Sequence, residues 1–158
     1  LNTTKGQLAA LRNPAVNVRA LAFDALRRQG DRVARDVRKL LNDENPYVRA
    51  RAVFLLANLG PKGRAEAEQA LQAADANLRI AALRGLKTTA PDVVALVRPL
   101  AADPSPAVRR EVAIALRDVP FSACQDVLTQ LIAGYDGADR YYLTALGIAA
   151  DGKQDAQF

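Results

Sequence analysis

The sequence predicts an all-α fold: a right-handed α/α superhelix (α-solenoid) of about five helical hairpins, each 30 residues long. Three observations carry this. An arginine recurs every 30 residues, at Arg19, Arg49, Arg79 and Arg109, each preceded by Val18, Val48, Leu78 or Val108. The columns around it repeat too: Ala22, Ala52, Ala82 and Val112 lie three residues after each arginine. Leu26, Leu56, Leu86 and Leu116 lie seven after, and a further period reaches Leu146. Alanine (32) and leucine (21) outnumber valine plus isoleucine (17), a helix-forming balance because these side chains lose little freedom in a helix. Self-similarity at a fixed period of this length is the signature of stacked repeats, since one hairpin cannot bury its apolar stripe alone.

The elements follow in order. Residues 1–12, with Leu8, Ala9 and Leu11, read as the second helix of a truncated repeat. Full repeats are expected at 13–42, 43–72, 73–102 and 103–133, and a terminal partial repeat at 134–158, all within one domain. First helices are expected near 15–29, 46–59, 76–88, 106–118 and 138–149. In the second of these Val48, Ala52, Leu55, Leu56 and Leu59 fall on one face. Second helices are expected near 32–42, 64–74, 91–102 and 122–133, with Val33, Val37, Leu40 and Leu41 turned inward. Pro14, Pro46, Pro91, Pro106 and Pro120 sit at or near helix starts, where a missing N–H costs nothing. Gly30 and Gly60 suit left-handed C-caps, and Asp43, Asp75 and Asp103 suit N-caps. Pro99 lies late in a second helix and is expected to shorten or kink it.

Composition excludes several functions. With no His and one Cys, the chain cannot build His-based zinc or haem sites, a Ser-His-Asp triad or an internal disulfide. Its longest apolar runs, such as 52–57, are far too short to span a bilayer. No cofactor or metal is expected, and no membrane insertion. The start at Leu1 and the absence of Met suggest a processed or excised part of a longer protein.

Four groups of residues invite a functional reading. The arginine column offers a basic stripe. The favoured alternative is a structural ladder in which Arg19, Arg49, Arg79 and Arg109 bond a carboxylate such as Asp43 or Asp103, or its counterpart on the adjacent repeat. Next is the charge asymmetry: residues 1–64 carry net +8 and residues 65–158 net −3. Lys5, Arg35, Arg38, Lys39 and Arg98 project from second helices and could form a concave patch for nucleic acid or an acidic protein. A solvated face in which Asp31 and Asp36 pair locally is preferred. Third is the tail, where Tyr135, Arg140, Tyr141 and Tyr142 suit a contact surface; Asp136, Asp139 and Asp151 lack calcium-loop spacing. Fourth, Cys124 shares an inward column with Ala34 and Val94 and reads as a buried thiol, not a nucleophile.

The stretches 13–19 (NPAVNVR), 43–49 (DENPYVR) and 103–109 (DPSPAVR), each followed by an alanine- and leucine-rich helix, resemble HEAT repeats, in particular the short phycobilisome-lyase-like type. The segment 135–152, where Asp139 replaces the column arginine and Arg140 follows, resembles the end of the HEAT region in bacterial membrane-associated dehydrogenase-like proteins that also carry a haem domain. That resemblance implies a periplasmic or otherwise extracytoplasmic, dehydrogenase-like multidomain parent whose redox centres lie elsewhere. The resulting expectation is a non-enzymatic scaffold or inter-domain segment that binds protein or neighbouring domains. A nucleic-acid-binding domain and a lyase-like subunit are the alternatives. Lone half-repeats at the two ends lead us to expect exposed apolar edges, around Leu8 and Leu11 and after Ala150, and self-association.

Overall fold

A computed structural model describes residues 2–153; Leu1 and residues 154–158 of the expected terminal part-repeats lie outside the described residues. The fold is an all-helical repeat array of the α-solenoid class, with no strand among the described residues. Its packing divides it into two compact units, residues 1–89 and 90–158.

The first unit contains α1 (Thr4–Ala10), α2 (Val16–Gln29), α3 (Ala34–Arg38), α4 (Pro46–Leu56), α5 (Pro61–Gln69) and α6 (Ala76–Lys87). First helices stack on first helices, α2 on α4 and α4 on α6, while α3 packs on α5 and α1 on α2. The second unit contains α7 (Val93–Val97), α8 (Pro106–Ala115), α9 (Phe121–Ala133) and α10 (Arg140–Ala150), with α8 against α10 and α7 against α9. The leucine column is the spine of both: Leu26, Leu56, Leu86 and Leu116 are fully buried, as are Ala22, Ala52, Ala82 and Val112. Each such leucine contributes roughly 1.5–3 kcal/mol by leaving water.

Local chemistry explains the boundaries. Pro46, Pro61 and Pro106 occupy the first position of α4, α5 and α8, and Pro120 is the N-cap of α9. Asn45 caps α4 by accepting from the Tyr47 amide, and Asp75 caps α6 by accepting from Asn77. Asp43 and Asp103 act two residues earlier than a cap: each carboxylate accepts the amide two residues on, at Asn45 and Ser105, and so shapes the turn that enters the helix.

Several details depart from expectation. Gly30 and Gly60 do have positive φ, 62° and 134°, but their ψ of −148° and −169° lies outside the left-handed helical region. Each swings the chain directly into the next helical turn, a backbone state open essentially to glycine alone. Pro99 is not an isolated defect. It lies in a 3₁₀ turn, Arg98–Leu100, and the second helices of the two preceding repeats end in the same way, at Lys39–Asn42 and Ala70–Gln72, without a proline. Leu41 is only half-buried, whereas Val33, Val37 and Leu40 are buried. Finally, α10 starts at Arg140, 34 residues after α8 starts at Pro106, so the 30-residue register slips. Tyr142, Ala145 and Ala149 are buried there, and Leu146 is not part of the buried column.

Candidate interaction surfaces

The arginine column forms a latch on each loop. The Arg19 guanidinium donates to the carbonyls of Asn13 (2.8 Å) and Pro14 (2.6 Å), and Arg49 to those of Asp43 (2.9 Å) and Glu44 (3.1 Å). Arg79 donates to Ala73 (2.7 Å) and Ala74 (3.1 Å), and Arg109 to Asp103 (2.6 Å). Thus the residue six positions earlier supplies its backbone oxygen to the latch, while the carboxylate that Arg49 bonds is Asp75 of the adjacent repeat. The Asp43 carboxylate instead pairs with Arg12. The free arm of the fork reaches the adjacent repeat: Arg49 bonds Asp75 at 3.0 Å, and Arg109 bonds the Gly134 carbonyl at 3.1 Å. These bonds offset the cost of placing a cation in the first turns of a helix, where the backbone dipole is positive. Asp75 is held below the usual carboxylate range, first by its bond from Arg49 and then by the Asn77 amide.

The basic face is exposed but largely engaged. Lys5, Arg35, Arg38, Lys39 and Arg98 all project into solvent. Arg38 bonds Glu66 of the next second helix at 3.0 Å, and Arg98 bonds Asp126 in the same way. Lys39 bonds Asp36 at 2.7 Å and pulls that carboxyl down. The Asp31 carboxylate accepts from the Gly63 amide at 2.9 Å and so caps α5 from the preceding repeat. That contact needs Gly60, because a Cβ there would sit 3.0 Å from the Asp31 carboxylate.

The aromatic tail splits into a buried and an exposed part. Tyr142 does not belong to the surface: it is 1% exposed. Its hydroxyl donates to the Leu131 carbonyl at 2.8 Å and accepts from Arg109 Nε at 3.3 Å. Its ring stacks on the half-buried Tyr135 ring (5.6 Å, 4° between planes), and the Arg109 guanidinium lies over it at 5.3 Å. The register slip of α10 brings this tyrosine onto the core face. Tyr141 points outward, 67% exposed, flanked by the guanidinium groups of Arg110 and Arg140. Asp139 caps α10 through the Tyr141 and Tyr142 amides and bonds Arg110 at 3.1 Å. Asp136 accepts from the Ala138 and Asp139 amides, which lowers its pKa. No cluster of potential metal ligands occurs among the described residues.

A groove of about 400 Å³ opens between α9 and α10. Phe121, Leu128 and Ile132 line it from α9, and Leu146 and Ala150 from α10. Lys153 closes one side. It is 7% exposed, and its ammonium donates to the carbonyls of Leu116 (3.1 Å), Arg117 (2.9 Å) and Ala149. Cys124 lies beneath, fully buried, donating to the Pro120 carbonyl at 3.4 Å, and burial pushes its thiol pKa up.

A family model described as HEAT repeats matches residues 64–150. The chain belongs to the HEAT-repeat family. Among solved structures it is similar to the crystal structure of an engineered protein, a Northeast Structural Genomics Consortium target, with a TM-score of 0.51 and 18% identity. That match covers 94% of this chain and 78% of the other, and it shows the fold. No curated protein matches significantly.

HEAT repeats usually mediate protein interaction or scaffolding and are generally non-catalytic. No helix among the described residues is long and apolar enough to cross a membrane. Three features of this HEAT array were missed from sequence: the Asp31 cap, the Lys153 plug and the α9/α10 groove. Only the groove had a signal. Phe121, Gln125, Leu128 and Ile132 follow helical spacing along one face of α9.

Proposed function

We propose that this chain is a non-enzymatic interaction scaffold within a larger extracytoplasmic bacterial protein. The observation that carries the scaffold reading is the set of exposed apolar side chains on α9 and α10: Ile132, which lines the groove, at 58%, Tyr141 at 67% and Leu143 at 55% exposed. Large solvent-facing side chains bordering a concavity mark contact surfaces more than catalytic ones. The larger context is carried by the resemblance of residues 135–152. The remaining polar chemistry supports a structural role: the arginine column bonds loops, and the thiol is sealed in the core. The test pairs photo-crosslinking from positions 141 and 35 with anisotropy titrations of mixed DNA and RNA oligonucleotides across a salt series. Discrete protein adducts from 141, with no oligonucleotide binding at low salt, are expected. Micromolar oligonucleotide binding that falls steeply with salt and is lost in an Arg35→Glu/Arg38→Glu/Lys39→Glu variant overturns the reading in favour of a nucleic-acid-binding domain.

A further inference from the structure

We propose that the cleft between α2 and α4 is a second contact site, which holds a peptide segment of a partner protein in which an acidic side chain stands beside a large apolar one. The cleft lies between two repeats, wholly within the first unit, and is separate from the surface on α9 and α10. It encloses about 340 Å³, at the small end of the range for ligand sites, ~300–1,000 Å³.

The cleft exists because α4 presents larger side chains to α2 than α6 presents to α4. Gly85 of α6 lies against Phe54 and Ala57 of α4, and Ala81, one turn earlier on the same face, is buried. One period back these two positions hold Leu55 and Arg51. Leu55 is buried, and Arg51 props the helices apart, so that α2 meets α4 more sparsely than α4 meets α6. On α2 the counterparts of Phe54 and Ala57 are Asp24 and Arg27, an ion pair at 3.6 Å in place of an apolar ridge.

Its walls are apolar and its anchor is cationic. Leu11, Val16, Ala20 and Phe23 line it together with Arg19 and Arg51. Arg51 donates to the Leu11 carbonyl at 2.9 Å, and Arg19 to the two loop carbonyls of its latch, so each fork keeps unused N–H groups. Neither pairs with a carboxylate among the described residues. The next repeat shows what is missing. The free arm of Arg49 bonds Asp75, whereas the place matching Asp75 ahead of Arg19 holds Asn45, whose side-chain oxygen is taken by the Tyr47 amide. Burial, and then the charge of Arg19, lower the Arg51 pKa, so the two cations repel one another across the cleft. An incoming carboxylate relieves that repulsion and takes the role that Asp75 has against Arg49. The apolar wall then covers the side chain beside it. Asp24 lines the same cleft and disfavours a polyanion, whose further charges would oppose it. From Val16 to Asp24 the cleft follows α2 for about 12 Å, the length of about four extended residues.

The test titrates ¹⁵N-labelled protein with capped tetrapeptides, acetyl-Ala-Glu-Leu-Ala-amide and its versions with isoleucine or phenylalanine in place of leucine, up to ~5 mM, and follows the amides by NMR. At least one peptide should bind with a Kd of about 1 mM or tighter and shift the amides of residues 11–24 and 51. Replacing its glutamate with glutamine should weaken binding at least about tenfold. Two protein variants should do the same. Ala20→Glu sets a competing carboxylate on an exposed position of the wall. Arg51→Ala places at this junction the residue that Ala81 supplies at the next, so both variants should keep their helical circular dichroism. Glutamine peptides that bind as well as glutamate peptides overturn the proposal, as do shifts confined to other residues, binding unchanged in both variants, or no shift from any peptide at the highest concentration. An oligonucleotide that shifts the same amides more strongly than any peptide also overturns it, in favour of a nucleic-acid phosphate. Failure here leaves the reading of the α9 and α10 surface to its own test at position 141.

Discussion

Replacing Arg109 with lysine separates what the guanidinium fork contributes from what positive charge contributes. Lysine can keep a bond to the Asp103 carbonyl. It cannot also reach the Gly134 carbonyl and the Tyr142 hydroxyl, now held at 3.1 and 3.3 Å, nor lie flat over the Tyr142 ring at 5.3 Å. Two weak hydrogen bonds, one of them solvent-exposed, are worth about 1 kcal/mol together, and the lost stacking about 0.5–1 kcal/mol more. The expected cost is therefore ~1.5–2 kcal/mol. Arg19→Lys is the matched control, since Arg19 latches the same kind of loop through Asn13 and Pro14. It should cost about 1 kcal/mol or less. Tyrosine fluorescence makes the effect local, because three of the four tyrosines, Tyr135, Tyr141 and Tyr142, surround Arg109 and α10. In urea titrations the fluorescence midpoint of Arg109→Lys should fall ahead of the circular-dichroism midpoint, as repeat arrays allow partial opening. Equal losses for both lysine variants, or coincident midpoints, would refute the idea that Arg109 ties α10 to α8.

Four further outcomes follow from the geometry. Gly63→Ala would place a Cβ 2.5 Å from the Leu56 carbonyl oxygen and 2.8 Å from Leu59 Cβ, and should lower stability by ~2–4 kcal/mol in thermal denaturation. Gly147→Ala, which meets nothing within 4 Å inside a helix, should raise it by ~0.5–1 kcal/mol. Asp75 titrates below the usual carboxylate range, so the stability it adds is present above ~4 and is lost as pH falls through its folded value. Asp75→Asn should flatten this acid limb in melting curves between pH 6 and 3. Cys124 should resist a thiol reagent in the native chain and react at a rate set by unfolding; immediate labelling would contradict its burial.

The repeat, the helix order and the buried columns were legible because each is a periodic property: a stripe that must face a neighbour repeats with the neighbour. The 3₁₀ endings were not, since residues such as Leu40 and Leu41 satisfy a helical stripe whichever way the last turn is wound. Tyr142 was misplaced on the surface because the register slip before α10 is set by a loop, 134–139, whose geometry depends on the Asp136 and Asp139 side chains accepting backbone amides. Of the apolar edge expected around Leu8 and Leu11, Leu8 is half-buried, whereas Leu11 is 1% exposed and its carbonyl accepts from Arg51. Exposure falls instead on Val16 and Leu21 of α2. Lys153 carried no sequence signal at all, because a lone lysine near a chain end ordinarily lies in solvent.

The acceptors of the arginine ladder have an evolutionary consequence. Asn13, Asp43, Ala73 and Asp103 comprise three kinds of side chain, yet each offers its guanidinium partner the same peptide oxygen. No point mutation can delete a carbonyl group. The loop is thus free to drift in sequence while the tie survives, and the genetic burden of holding each loop to its own helix falls on a single codon per period, that of the arginine.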